Sequence, residues 1–155
     1  LLIPSGPLRE SMRAINRADC IVINGDKNLD FENKIRSYTK KKIDIFYSKY
    51  KIKNLEKFKN KKIMAFAGIG NPSNFFDLLK DNGLNIIQSL SFPDHHIYSE
   101  KDFKKITINE SLKPITTEKD YYRMNEFQKE MCEYIKVDLE IQNEEYFKSL
   151  IKKNL

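Results

Sequence analysis

Hydrophobic positions change their spacing along the chain in a way that separates helices from strands. Leu8, Met12, Ile15 and Ala18 recur at helical intervals behind Gly6-Pro7, which predicts a short helix over residues 8–18. Residues 20–24 form a brief apolar run closed by Asn24-Gly25-Asp26, a strand ending in a turn. A polar stretch bearing Leu29, Phe31 and Ile35 is weakly helical. Over residues 43–52, Ile43, Ile45 and Tyr47 alternate with Asp44, Phe46 and Ser48, the period of a strand. The basic polar run at 37–42 marks a boundary before it.

The second segment is plainer. Residues 62–67 read as a buried strand, Gly68-Ile69-Gly70-Asn71-Pro72 as a turn, and residues 73–82 as a helix. Phe75, Phe76, Leu78 and Leu79 of that helix face the core, and Gly83 stops it. Residues 84–90 make the next strand, so strand, helix and strand form a βαβ crossover. Ser99 caps a further helix over 99–105. Residues 114–116 are a short strand and 118–125 a turn or helix. Residues 133–141 alternate as one strand, and 144–153 form an amphipathic closing helix. The class is α/β.

Composition narrows the function. The 155 residues suffice for one compact domain, or one and a half small ones. Apolar residues make up 40% and charged residues 32%, too apolar a mixture for a disordered chain. No apolar run approaches the ~20 residues of a spanning helix. Cys20 and Cys132 are isolated, which excludes a disulfide framework and a zinc pattern. The net charge of +6 is mostly lysine, enriched at 40–42 and 59–62. Such runs are ordinarily solvated faces, and otherwise draw the chain to anionic lipid or nucleic acid. Five arginines, without interleaved aromatics, argue against nucleic-acid recognition. The opening Leu1-Leu2-Ile3-Pro4 lacks an initiator Met and the basic start of a signal peptide, and reads as the end of a strand in a fragment of something longer.

Four motifs bear chemistry. Gly68-Ile69-Gly70-Asn71-Pro72 follows a strand, yet position 73 is Ser73 and the next strand ends in Ser91-Phe92-Pro93 without a carboxylate. The dinucleotide fingerprint therefore fails in detail, and the glycines allow close approach of a ligand or a neighbouring loop. Phe92-Pro93-Asp94-His95-His96 holds both histidines of the chain just after a strand, where open α/β sheets bind ligands. An imidazole exchanges a proton near neutral pH and a carboxylate such as Asp94 fixes its tautomer, so this motif is either catalytic or a structural turn. No third ligand at a recognised spacing supports a metal there. Thr116-Thr117-Glu118-Lys119-Asp120 either caps a helix or lets Lys119 bind a phosphate or sugar hydroxyl. Arg9-Glu10 at a helix start is either plain surface or a phosphate-facing pair.

Taken in order, these motifs carry a resemblance. Residues 2–10, then Ala18-Asp19 leading to Asn24-Gly25, then residues 65–72, Phe75-Phe76, residues 92–96 and residues 116–120 together resemble the tetraacyldisaccharide 4′-kinases, the lipid A 4′-kinases of Gram-negative bacteria. The likeness runs from the first residue through Asp120 and continues beyond only as pattern. Ser11 stands where the family usually has Pro.

The resemblance implies a P-loop kinase of two α/β domains joined by a strand linker. Such an enzyme transfers the ATP γ-phosphate to the 4′-hydroxyl of tetraacyldisaccharide 1-phosphate, the lipid A precursor. It works as a peripheral protein at the cytoplasmic face of the bacterial inner membrane. No Gly-x-x-x-x-Gly-Lys-Ser/Thr run occurs in this sequence. The chain is therefore expected to be the C-terminal, Rossmann-like part of such an enzyme, lacking the N-terminal P-loop half as partner and inactive alone. Residues 1–36 would be the tail of the P-loop domain, a strand–helix–strand remnant; 37–60 the strand linker; and 61–155 the C-terminal α/β domain. By the same resemblance His95 would be the catalytic histidine, acting with an aspartate of the missing half on the 4′-hydroxyl proton. Asp94 and His96 would position it or the sugar, and Lys119 and Thr117 would bind substrate. Arg9 would stabilise charge on the transferring phosphoryl group, and Glu10 would help order Mg²⁺ or its waters; ATP and Mg²⁺ are the implied cofactors. Two other classes stand beside this one: a Rossmann-like nucleotide-binding domain resting on residues 68–72, and a non-enzymatic basic module binding lipid or nucleic acid.

Overall fold

The computed structural model describes residues 10–153. The chain divides into two compact units, one continuing to Lys49 and resuming at Leu139, the other spanning Tyr50–Asp138. The first division falls inside the 37–60 stretch, and the second falls within residues 61–155.

The Tyr50–Asp138 unit is built on a four-stranded sheet ordered β4-β3-β5-β6. Its strands are β3 (Lys62–Ala67), β4 (Asn85–Ser91), β5 (Lys113–Thr117) and β6 (Glu133–Ile135), each parallel to its neighbour. Strand β3 is central and buried from its second residue onward. Its side chains alternate between two cores, as the period of a strand requires. Ile63, Ala65 and Ala67 join Phe75, Phe76 and Leu79 of α2 (Pro72–Asp81), together with Ile115 and Ile135. Met64 and Phe66 join Phe103 and Ile106 of α3 (Glu100–Ile106), with Leu112, Met124 and Cys132. Helices thus cover both faces of a parallel sheet, the α/β architecture that the crossover pattern predicts.

Local chemistry sets the element ends. Pro72 enters α2 at its first turn, where its missing N–H costs nothing. Gly83 ends the turn after α2 at a φ of +74°, in the left-handed region that suits glycine. Ser99 caps α3 as expected, and Asp102 completes a reciprocal capping box. A second such box, Asn125 with Gln128, opens α5 (Glu126–Glu130), an element the apolar spacing does not signal. A single 3-10 turn over Leu55–Phe58 likewise has no hydrophobic period, and Phe58 is fully buried.

Residues 133–141 are not one strand. Asn54 donates to Tyr134 O (2.9 Å) and accepts from Lys136 N (2.9 Å), and Lys53 N donates to Lys136 O. These bonds take up the backbone at the junction. Strand β6 therefore stops at Ile135, and β7 (Val137–Ile141) belongs to a different sheet.

The other unit carries the three-stranded sheet β1-β2-β7. Strands β1 (Cys20–Asn24) and β2 (Asp44–Ile52) run parallel, from Cys20 opposite Asp44 to Asn24 opposite Ser48. Helix α1 (Leu29–Ser37) joins them, and Asn28 caps it by accepting from Phe31 N. Phe46 packs on Tyr146 and Phe147 of α6 (Glu144–Lys153). The expected helix over 8–18 is a 3-10 turn over Met12–Arg17 among the described residues. None of its side chains is buried, so no packing supports a longer α-helix. No helix among the described residues is long and apolar enough to cross a membrane.

Candidate functional site

Three strands of the parallel sheet end side by side, and their following loops meet. Gly68 follows β3, Phe92 to His96 follow β4, and Thr117 leads from β5 into α4 (Glu118–Tyr122). The meeting point is glycine for a steric reason. A Cβ on Gly68 would lie 3.1 Å from His96 Cβ, 3.1 Å from Tyr98 Oη and 3.2 Å from Pro93 O. The first glycine of the Gly-x-Gly run therefore admits a neighbouring loop.

A buried carboxylate ties these loops together. Asp120 has no exposed surface. Its Oδ2 accepts from Gly68 N (3.0 Å) and from the Thr117 hydroxyl (2.7 Å), while Asp120 N donates to Thr117 Oγ1 (3.1 Å) and so caps α4. Its Oδ1 pairs with the Arg123 guanidinium one turn further along. Arg123 also donates through Nη2 to Gly68 O (3.1 Å), and its Nη1 lies 3.2 Å from Nδ1 of His95.

His95 sits at the rim of this network. Its backbone is left-handed, at a φ of +60°, which is uncommon for a residue with a Cβ. Two bonds hold it there: His95 N donates to Gly68 O (3.1 Å) and to Asp94 Oδ1 (3.0 Å). The imidazole is 69% exposed, open to a ligand rather than sealed into the core. Asp94 Oδ2 lies 3.7 Å from His95 Nε2, and Asp94 Oδ1 lies 3.6 Å from Lys119 Nζ. Lys119, Thr117 and Asn71 border a cleft of about 460 Å³ whose remaining wall includes Phe75, Leu78 and Ile135.

Asp94 therefore lies between His95 and Lys119 and brings the two loops that carry them together. His96 is committed elsewhere in this structure. Its Nε2 lies 3.0 Å from Asp102 Oδ2, and its ring stacks on Phe92 at 4.8 Å and meets Tyr98 edge-on at 5.2 Å. The backbone N–H and hydroxyl of Ser99, helped by His96, hold the Asp102 carboxyl down to about 2 against the opposing effect of burial. The Thr117 hydroxyl is spent on Asp120, so its contribution is to capping as well as to the cleft wall. Arg9 lies outside the described residues. Glu10 belongs to the other unit and forms an ion pair with Arg17.

Arg123 and the buried role of Asp120 escape the motif reading. Their signal was present as an acidic and a basic residue at i and i+3 of a short helix behind a Thr cap. Among the described residues no three His, Cys, Asp or Glu side chains gather to hold a metal. With Glu10 engaged by Arg17, these residues do not by themselves fit a Mg²⁺ site.

A parallel sheet covered by helices, with an exposed imidazole, a lysine and an arginine at its C-terminal edge, defines a domain of the open α/β class, the edge at which such folds bind ligands. The matching family model, tetraacyldisaccharide-1-P 4′-kinase, covers residues 1–155. The chain belongs to that family. It is 37% identical over 161 residues to the tetraacyldisaccharide 4′-kinase of Pelagibacter ubique, covering 99% of this chain and 51% of that protein. It is also 37% identical over 131 residues to the same-named protein of Rickettsia bellii, covering 81% of this chain and 39% of that one. Among solved structures, LpxK from Aquifex aeolicus in complex with ATP aligns with a TM-score of 0.64 at 24% identity, over 98% of this chain and 47% of its own. The last likeness speaks for the fold. The chain spans about half the length of the curated relatives it matches.

Proposed function

We propose that this chain supplies the C-terminal, Rossmann-like half of a lipid A 4′-kinase, which transfers the ATP γ-phosphate to the 4′-hydroxyl of tetraacyldisaccharide 1-phosphate. The observation that carries the reading is the exposed His95 imidazole at the sheet edge, flanked by Asp94, Lys119 and Arg123, in a chain matched by the family along its whole length.

In this reading His95 works with a carboxylate from a P-loop half to remove the hydroxyl proton as the phosphoryl group arrives. Asp94 steadies the loop through the His95 backbone bond, and Lys119 meets negative charge on the substrate. Thr117 borders the sugar site from its capping position, and His96 braces the turn from behind or meets the sugar itself. Phosphoryl transfer is accelerated mainly by positioning and charge neutralisation, which suits a site made of one imidazole and two cations. Arg9 would add charge to the transferring group. ATP, with Mg²⁺, belongs to the P-loop half; the relative from Aquifex aeolicus was solved with ATP. The basic balance fits a peripheral protein on the anionic cytoplasmic face of the inner membrane, with no nucleic-acid partner.

The test is 4′-phosphorylation of the disaccharide by the 155-residue chain, alone and joined to a P-loop half. Turnover only in the joined protein, lost in the Lys119→Met and His95→Ala variants, is expected. Turnover by the chain alone would contradict the reading, as would a joined protein indifferent to both substitutions.

A further inference from the structure

We infer that Arg123 is a positioning residue that fixes the His95 ring with Nδ1 as hydrogen-bond acceptor and Nε2 as the nitrogen carrying the proton. The inference rests on the reading of His95 as the group that works at the sugar hydroxyl.

A guanidinium has five N–H donors and no acceptor, and it keeps its charge at any working pH. With Arg123 Nη1 3.2 Å from His95 Nδ1, the bond forms only if Nδ1 offers a lone pair. A neutral imidazole holds one proton, which then resides on Nε2. A ring protonated on both nitrogens would set N–H against N–H and break the contact. Asp94 Oδ2, at 3.7 Å, is too distant to bond Nε2, so that proton remains available to an incoming oxygen.

Arg123 is itself rigidly placed. Its guanidinium pairs with the fully buried Asp120, donates to Gly68 O at 3.1 Å and reaches Lys119 O at 3.3 Å. Gly68 O also receives the His95 backbone N–H, so one carbonyl anchors both the left-handed backbone of His95 and the side chain that grips its ring. Within the proposed pair this makes His95 the N–H donor and leaves acceptance of the hydroxyl proton to the carboxylate.

The experiment uses the intact kinase carrying this chain, with Arg123→Lys as the variant. Lysine keeps a cation beside Asp120 and so preserves the fold, but its single nitrogen cannot serve Asp120, Gly68 O and Nδ1 together. Long-range ¹H–¹⁵N spectra of the histidine rings, assigned with His95→Gln, should show one His95 tautomer in the parent protein, Nδ1 bare and Nε2 protonated. In Arg123→Lys those signals should move toward a mixture, with kcat down about tenfold and KM for ATP within about twofold. Signals unmoved by the substitution, a parent ring protonated on Nδ1, or an unchanged kcat would each overturn the inference. If His95→Ala keeps full turnover, the catalytic reading of His95 is what fails, and the ring signals still decide whether Arg123 sets the tautomer.

Discussion

The backbone amide of Gly68, at the end of the central strand, donates to the buried carboxylate of Asp120 at 3.0 Å. That single bond joins the turn after β3 to the first turn of α4, and the loop bearing His95 leans on the same turn through Gly68 O. Asp120 also receives the Thr117 hydroxyl and Arg123, so it is fully compensated. Removing one member of a buried pair strands the others.

Asp120→Ala should therefore destabilise the protein by about 2–3 kcal/mol. That is below the full cost of breaking a buried pair because Arg123 is 29% exposed and partly screened by water. Asp120→Asn, which keeps an acceptor for Gly68 N, should cost less. Urea denaturation measures both, and a loss under about 0.5 kcal/mol for the alanine variant would mean that the carboxylate is not the tie it appears from its bonds.

Gly68→Ala tests the packing of the loop against the strand. The added methyl meets His96 Cβ, Tyr98 Oη and Pro93 O at 3.1–3.2 Å, and the last is backbone. Overpacking of this kind costs about 1–3 kcal/mol. Denaturation should show that loss, with reduced turnover in the intact kinase because the His95 turn must shift. An alanine variant of parental stability would show that the approach is looser than these distances require.

Acid sensitivity should trace in part to Asp102. Its folded-state value, about 2, lies below the ordinary 3.8, so its ionised form is favoured in the native state. A depressed carboxyl contributes stability that is present above the unfolded value and lost as pH falls through the folded one. The parent should lose stability relative to Asp102→Asn between about pH 4 and pH 2, while at pH 7 the asparagine variant is weaker by about 1 kcal/mol through its impaired cap. Denaturation midpoints across that range check it; parallel curves for the two proteins would refute the assignment.

The sheet was legible because its signals are local. Ile63, Ala65 and Ala67 alternate with Met64 and Phe66, and Gly83 and Ser99 mark ends that need no distant partner. The break at Lys136 was not, because it depends on Asn54, 82 residues away from Lys136 in sequence. The same holds at the site. His95, Asp94 and Lys119 stand in recognisable motifs, whereas the grip of Arg123 on His95 joins two loops 28 residues apart. The two adjacent histidines look equivalent in sequence. Asp102 and the rings of Phe92 and Tyr98 separate them in space, engaging His96 and leaving His95 open.

A His95 imidazole that acts at the reacting hydroxyl must matter to phosphoryl transfer and not to nucleotide binding. The most direct measurement is steady-state 4′-phosphorylation by the intact kinase with His95→Ala, alongside calorimetric ATP binding. A fall in kcat of about a hundredfold or more, with ATP affinity within about twofold, is expected. Parental turnover in the alanine variant, or a collapse of ATP affinity with turnover of bound substrate preserved, would contradict it.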